Sequence, residues 1–468
     1  MTDTGWKRYP YVPDWGDPAW FTLPAADGHR PDLGVATYFI DGFVRGLVTG
    51  RSFAFIVILT DMRVLRKLVR ASFYTFALYD LDRRQYGTYT DYDFPRPPRI
   101  RRRYKIHAVP GSLALRFDAS AGTVLWQQRR DARGDLVPFA WDVALRGLDH
   151  HGARMVLELT VDATRPPAPL GGRLLGGEMM FLGAPRTYSY FQSGLDLRGR
   201  LTWGDHAEDV EGHLGWIDRQ WAPDDFSVHQ DWRASRYRSE WRVIQLDDGW
   251  DMSCFHQYQR DARNAVVPWT GLSAQGPAPG FELRATPDVT LTIPEFIRSP
   301  GIVRAMSMLT EGPRWFPHRY CLRAPAWDLD LRAEPLVDAP AHALPIEYWT
   351  GPVRIHGTHR GRAVSGWGFD ERSRPWTRGH ELARALRLTA EHLEEIDPDL
   401  RAAICYRARE IEALALRGDA AAAAEHARRH IQPWIASRAP GLQPLAEDLL
   451  VALSGRFPTR GSVAARFA

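Results

Sequence analysis

The stretch Gly-His-Leu-Gly-Trp-Ile-Asp-Arg-Gln-Trp, residues 212–221, returns in altered form as Val-Ser-Gly-Trp-Gly-Phe-Asp-Glu-Arg at 364–372, with Trp376 close behind. A similar approach precedes each copy: Leu-Asp-Leu-Arg-Gly at 195–199 and Val-Arg-Ile-His-Gly at 353–357. Endings shared about 150 residues apart predict two related β-domains rather than one long fold, because repetition outranks local propensity when architecture is read. Both copies also crowd Trp, Asp and Arg into a few positions, which is where chemistry is to be sought.

Period-2 patterns flank the copies. Leu113, Leu115 and Phe117 alternate with small or polar neighbours, as do Met155, Leu157, Leu159 and Val161, between turns at Pro110-Gly111 and His151-Gly152. Phe53 to Leu59 reads as a buried strand, far shorter than the ~20 residues a spanning helix needs. Arg165 to Gly177 is a long connection. Asp247-Asp248-Gly249 lies between two β-rich runs and signals a hairpin, and a short helix is expected at Val303 to Leu309. Beyond Trp376 the texture becomes helical. Asp397-Pro398 is an N-cap followed by proline at the first helical position, and Leu400, Ile404, Ala408, Ile411 and Ala415 share one face up to Gly418. The expected architecture is therefore mainly β: an extended arm at 1–30, a first barrel domain at 31–228, a second at 229–378, and an α-helical C-terminal appendage at 379–468.

Composition limits the function classes. At 468 residues the chain needs more than one core, and 44% hydrophobic with 25% charged residues is globular usage. The net charge is +4 and lysine occurs only at Lys7, Lys67 and Lys105, so the high isoelectric point reflects arginine usage and no nucleic-acid partner is expected. The dense basic run Arg96 to Lys105 reads first as a solvated strand face or loop. Peripheral contact with an anionic membrane surface, or with a phosphorylated ligand, is the alternative. Cys254, Cys321 and Cys405 are too scattered for a disulfide framework or a metal knuckle, and the N-terminus shows no apolar leader. A cytoplasmic protein is expected.

Walker, nucleophile-elbow and His-Glu-x-x-His signatures are absent, and Asp149-His150-His151 sits at a turn without a third ligand, so neither a cofactor nor a metal is expected. Aromatic residues make up 12% of the chain, with 18 tryptophans. They read as core plugs, as walls for a flat or polyunsaturated ligand, or as both.

The phrases Gly212-x-x-Gly-Trp216-x-Asp218-x-x-Trp221, Trp241-x-Val-Ile-Gln-Leu-Asp-Asp-Gly249 and Glu347-Tyr-Trp349-Thr-Gly351, followed by Val364 to Phe369, resemble the lipocalin-like AttH and carotenoid 1,2-hydratase (hydroxyneurosporene synthase) family. The similarity runs from about Ser72 to Arg372 and leaves the helical tail outside. It implies two tandem lipocalin-like antiparallel β-barrels, an apolar cavity at their interface, and cofactor-free acid catalysis on an isoprenoid or polyene. Hydrating an alkene needs a proton donor whose pKa burial has raised and aromatic walls that stabilise positive charge. Candidate catalytic residues are Asp218, Asp231, His256 and Tyr258. Candidate substrate walls are Trp216, Trp221, Trp232, Trp241, Trp250, Trp349 and Trp367.

Each has a plainer reading. Asp218 next to Arg219 forms an ion pair joining the barrels, with Arg372 as another partner. Asp247 and Asp248 are turn residues, His256 and His229 are ordinary strand histidines, and Trp216 and Trp367 are barrel plugs. A lipid carrier without chemistry, and a scaffold whose helical tail recruits a partner, are the competing functions. The oligomeric state is left open.

Overall fold

The computed structural model describes residues 5–30, 32–64, 69–93, 104–181, 184–223, 237–259, 270–299, 314–338, 341–342, 348–373 and 375–455. Strands between Val35 and Ala222 form one 14-stranded antiparallel sheet, eleven of them in an unbroken path from Gln85–Asp93 to Ile106–Ala108 that curls nearly into a closed barrel. Strands between Tyr237 and Ser373 form a second sheet of ten, with a nine-strand path curled into a half-barrel.

Two kinds of strand build the first barrel. Arg154–Ala163 alternates buried and exposed side chains because its outer face is wet. Val35–Gly46 and Ser52–Val64 are covered on both faces, which is why Phe53 to Leu59 reads as a continuous apolar run. Tyr38, Ile40, Phe53, Phe55 and Val57 point into the barrel. Phe39, Phe43, Ile56 and Ile58 point outward into a layer shared with Trp241, Val243, Phe255 and Phe369 of the half-barrel. The half-barrel has its own core around Ile244, Cys254, Leu331 and Ile355.

Each copy of the repeated phrase is the returning strand of a hairpin: Leu195–Trp203 with His206–Ala222, and Tyr348–His359 with Arg362–Ser373. In the first copy the approach strand breaks at Gly194, whose φ of 64° suits glycine. Ala184–Ser193 therefore pairs with the upper half of the returning strand and Leu195–Trp203 with the lower half.

The N-terminal arm is extended for only part of its length. It carries a short helix, Pro18–Phe21, and a 3-10 turn, Ala25–Asp27. Phe21, Leu23 and Ala26 are buried in the first barrel's core, with Trp6, Tyr9, Tyr11 and Trp15 packed against it. The Tyr9 hydroxyl accepts from Gln128 Nε2 at 2.5 Å and from the Phe139 backbone N–H at 3.1 Å.

The C-terminal region folds as helices, including Gly379–His392, Pro398–Leu416 and Gln443–Ser454. Asp397 caps the second of these through the Asp399 and Leu400 amides. The helices share a core with Ile293, Phe296, Trp315 and Trp376 and so cover the half-barrel's edge strand Thr290–Arg298. Asp448 fixes the contact, accepting from Trp315 Nε1 and from an Arg298 guanidinium nitrogen, both at 2.9 Å. Among the described residues no helix is long and apolar enough to cross a membrane. The helix expected at Val303 to Leu309 lies outside the described residues.

Candidate active site between the barrels

On a strand, residues two apart share a face. Asp41 pairs with Trp216 and Phe39 with Asp218 across adjacent antiparallel strands, so Asp41 and Asp218 are diagonal neighbours, about 7–8 Å apart in such ladders. Both face outward from the first barrel. The half-barrel presents Glu371, which pairs with Trp241 on one side and Thr350 on the other. Three carboxyl groups from two sheets thus enter one apolar layer.

Their environment is unusual. Asp41 is 0% and Asp218 4% exposed. Both Asp41 oxygens, Asp218 Oδ1 and Glu371 Oε1 find no hydrogen-bond partner among the described residues. No basic side chain among those residues offsets the three acids. Burial pushes Asp41 and Asp218 well above the usual carboxylate range, and Glu371 adds to both by charge repulsion. Glu371 is pushed up to about 8, again mainly by burial, with the Tyr348 hydroxyl lowering it by donating to Oε2. Glu371 and Tyr348 are partly exposed as residues, but Glu371 Oε1 is buried and Oε2 is held by Tyr348.

Rings surround the acids. Trp216 stacks on Phe191 at 4.4 Å, and Trp241 meets Phe255 edge-on at 4.9 Å. Trp367 packs on Phe43 at 5.3 Å. The Trp216 indole N–H leans toward Asp218 without completing a hydrogen bond, and its tendency is to lower that acid. Tyr79 and His342 complete the wall. The Tyr79 hydroxyl donates to the Thr350 carbonyl at 3.0 Å and lies 3.2 Å from His342 Nε2, while His342 Nδ1 lies 2.7 Å from the Thr88 hydroxyl. Burial pushes His342 down to about 4, so the ring is neutral.

The ion-pair reading of Asp218 is overturned. Arg219 is its neighbour in sequence and therefore points the other way, into the first barrel. There it pairs with Asp27 at 3.1 Å and lies 3.7 Å over the Tyr38 ring. Arg372 likewise points into the half-barrel and pairs with Asp370 at 3.0 Å.

Of the sequence candidates, Asp218, Trp216, Trp241 and Trp367 meet in the inter-barrel layer. Trp221 is inside the first barrel, and Trp349 is inside the half-barrel beneath Arg372 at 4.4 Å. Trp250 closes the far end of the half-barrel, between the guanidinium groups of Arg284 and Arg360. His256 pairs across strands with Glu240 on the half-barrel's inner face, beside Arg242, and burial pushes it down to about 4. It therefore faces away from Asp218. Asp231, Trp232 and His229 lie outside the described residues, as do the side chain of Tyr258 and most of the Arg96 to Lys105 run. Asp247 accepts from Ser365 and Asp248 from the Trp250 amide, both as turn residues. Asp149 caps its own turn through the His151 and Ala153 amides.

Asp41, Glu371, Tyr348, Tyr79 and His342 were missed. Asp41 had a signal, an acid inside the apolar run Tyr38 to Val44. Glu371 had one too, an even spacing from Trp367.

Two curled antiparallel sheets joined by an aromatic layer with buried, unpaired acids define a two-barrel β-protein whose candidate site lies between its domains. The AttH-like family model matches residues 117–371, more than half of the chain, and the protein belongs to that family. Among solved structures, a Nitrosomonas europaea protein assigned as AttH matches with a TM-score of 0.54 at 17% identity, over 78% of this chain and 99% of that one. Kievitone hydratase from Nectria haematococca matches with a TM-score of 0.51 at 14% identity, over 78% and 98%. At such identities the likeness is one of fold. No curated protein matches the sequence.

Proposed function

We propose that the protein is a cofactor-independent lyase or isomerase, of hydratase or cyclase type, acting on a hydrophobic unsaturated isoprenoid or polyene between its barrels. One observation carries this reading: three carboxyl groups are buried in an aromatic layer, four of their oxygens without a partner and no cation against them among the described residues, so that burial favours their protonated forms. A carboxylic acid kept neutral near pH 7 can protonate an alkene, which an ordinary surface aspartate cannot do. The faces of Trp216, Trp241 and Trp367 then stabilise the carbocation, by about 2 kcal/mol or more per desolvated ring. Glu371 is the donor, its proton held by burial and by repulsion from Asp370, and it in turn raises Asp218 and Asp41. The kievitone hydratase likeness in fold agrees with this chemistry without specifying the substrate.

Incubation with a panel of polyprenyl and polyene lipids in deuterated water tests the reading. Deuterium incorporation, hydration or cyclisation that falls in Asp218→Asn and disappears in Glu371→Gln supports it. A stoichiometric lipid retained unchanged, with no turnover of any member of the panel, replaces it with a carrier.

A further inference from the structure

The inter-barrel layer has an unbalanced hydrogen-bond inventory. Asp41, Asp218 and Glu371 together offer four carboxyl oxygens without partners among the described residues. The indole N–H groups of Trp216 and Trp241, 0% and 4% exposed, also complete no hydrogen bond among the described residues. Elsewhere the protein matches its buried acids with arginine: Asp27 with Arg219, Asp251 with Arg165, Asp370 with Arg372 and Glu381 with Arg238. Among the described residues no arginine pairs with the acids of this layer, although Arg354 lies 4.7 Å over the Trp367 ring at its rim. Half-buried Tyr86, Tyr348, Trp367 and Leu214 rim it from both barrels.

We propose that the site recognises amphiphiles bearing a protonated amine or quaternary ammonium on an apolar body. The proposal rests on the reading that ligands enter between the barrels, and it names their class. An ammonium supplies a cation for these acids: Asp41 and Glu371 accept its N–H groups or face its charge, and Trp241, of the same layer, offers a cation–π contact. Trp216 N–H is already placed to steady Asp218 as a carboxylate. A fatty acid would bring a fourth carboxyl group.

The titratable groups facing the site are Asp41, Asp218, Tyr79 and Tyr86 from the first barrel and Glu371, Tyr348 and His342 from the second. Burial raises the Tyr79 and Tyr348 phenols well above their ordinary value and pushes His342 down to about 4, so these three carry no charge near pH 7. Binding of a cation therefore draws a proton from the carboxyl cluster into solvent. Affinity should rise with pH up to about 8, where Glu371 ionises unaided, and that of the tertiary amine should fall again near pH 10 as the amine deprotonates.

Isothermal titration calorimetry of the full chain with N,N-dimethyloctylamine, octyltrimethylammonium, octanol and octanoate tests this. At pH 7 both cations should bind about tenfold or more tighter than octanol, and octanoate weakest. Two buffers of different ionisation heat should reveal roughly one proton released per cation bound and none for octanol. In the Asp41→Asn/Glu371→Gln double variant, checked by thermal melting, the preference for cations should vanish while octanol affinity is kept. Equal affinity for octanol and the cations, cation preference surviving in the double variant, or no binding by any probe overturns the proposal. Cation preference without turnover of any polyene leaves it standing and removes the hydratase reading. Turnover without cation preference does the reverse.

Discussion

Asp41 of the first barrel and Glu371 of the second face a common layer, and a charge on Glu371 raises the Asp41 carboxyl further above its ordinary range. Neither acid pairs with an arginine among the described residues, so ionising them weakens the contact between the two barrels.

The first consequence is a stability profile. Glu371 has a folded pKa of about 8 against an ordinary 4.5, so between those values the folded state holds a proton that the unfolded state has lost. Its contribution is complete below about pH 4.5 and is lost as pH rises through 8. Asp41 and Asp218 act in the same direction. Thermal melting should show wild-type stability falling across this window. Glu371→Gln should flatten the slope and melt at least about 2 °C above wild type at pH 8.5.

Asp218→Asn should separate chemistry from structure. Because Arg219 is satisfied by Asp27, the amide leaves no cation unpaired and the melting temperature should hold or rise. Turnover of an active lipid should fall, by less than the about 10²–10⁴-fold expected on removing the donor Glu371 itself. Unchanged turnover would remove Asp218 from the chemistry.

Tyr348→Phe should move a pH profile rather than abolish it. The phenol donates to Glu371 and lowers its pKa, so its removal raises that value further. The alkaline limb of the rate profile should shift upward in pH, and a shift downward would contradict the assigned hydrogen bond.

Asp27→Ala should be severe. It leaves Arg219, 1% exposed, without its carboxylate, at a cost of about 3–5 kcal/mol. Denaturant titration should record a lower midpoint at unchanged slope.

Deletion of residues 379–468 should not leave intact barrels. Trp315, Trp376, Phe296 and Ile293 would lose their cover, and the Thr290–Arg298 edge would be exposed. Size-exclusion chromatography should show aggregate. A monodisperse β-rich product would instead make the helices a detachable module.

Much of the architecture was legible because it rests on local chemistry. The Asp247 to Gly249 turn joins Tyr237–Leu246 to Asp251–Gln259 as the hairpin signal required. The Asp397-Pro398 cap starts its helix where expected. The site was legible only in part, because facing depends on register. In the first copy Trp216 and Asp218 are two apart and share the inter-barrel face. In the second, one extra residue separates Trp367 from Asp370, which turns Asp370 and Arg372 into the half-barrel and brings Glu371 to the layer instead. The Tyr79 and His342 contact spans 263 positions and left no local trace in the chain. The arm, read as simply extended, proved to be a plug whose partners lie more than a hundred residues downstream.

That plug sets an order of events during synthesis. Asp27 leaves the ribosome 192 residues before Arg219, the side chain that will hold it. Until the His206–Ala222 strand is made, the arm's tryptophans have no finished barrel to enter, and the growing chain carries them as exposed, adhesive surface. Such distant pairing makes for slow folding. The nascent protein should therefore depend on chaperones through its first two hundred residues, and a bulky fusion at its N-terminus should lower the yield of soluble product more than one at its C-terminus.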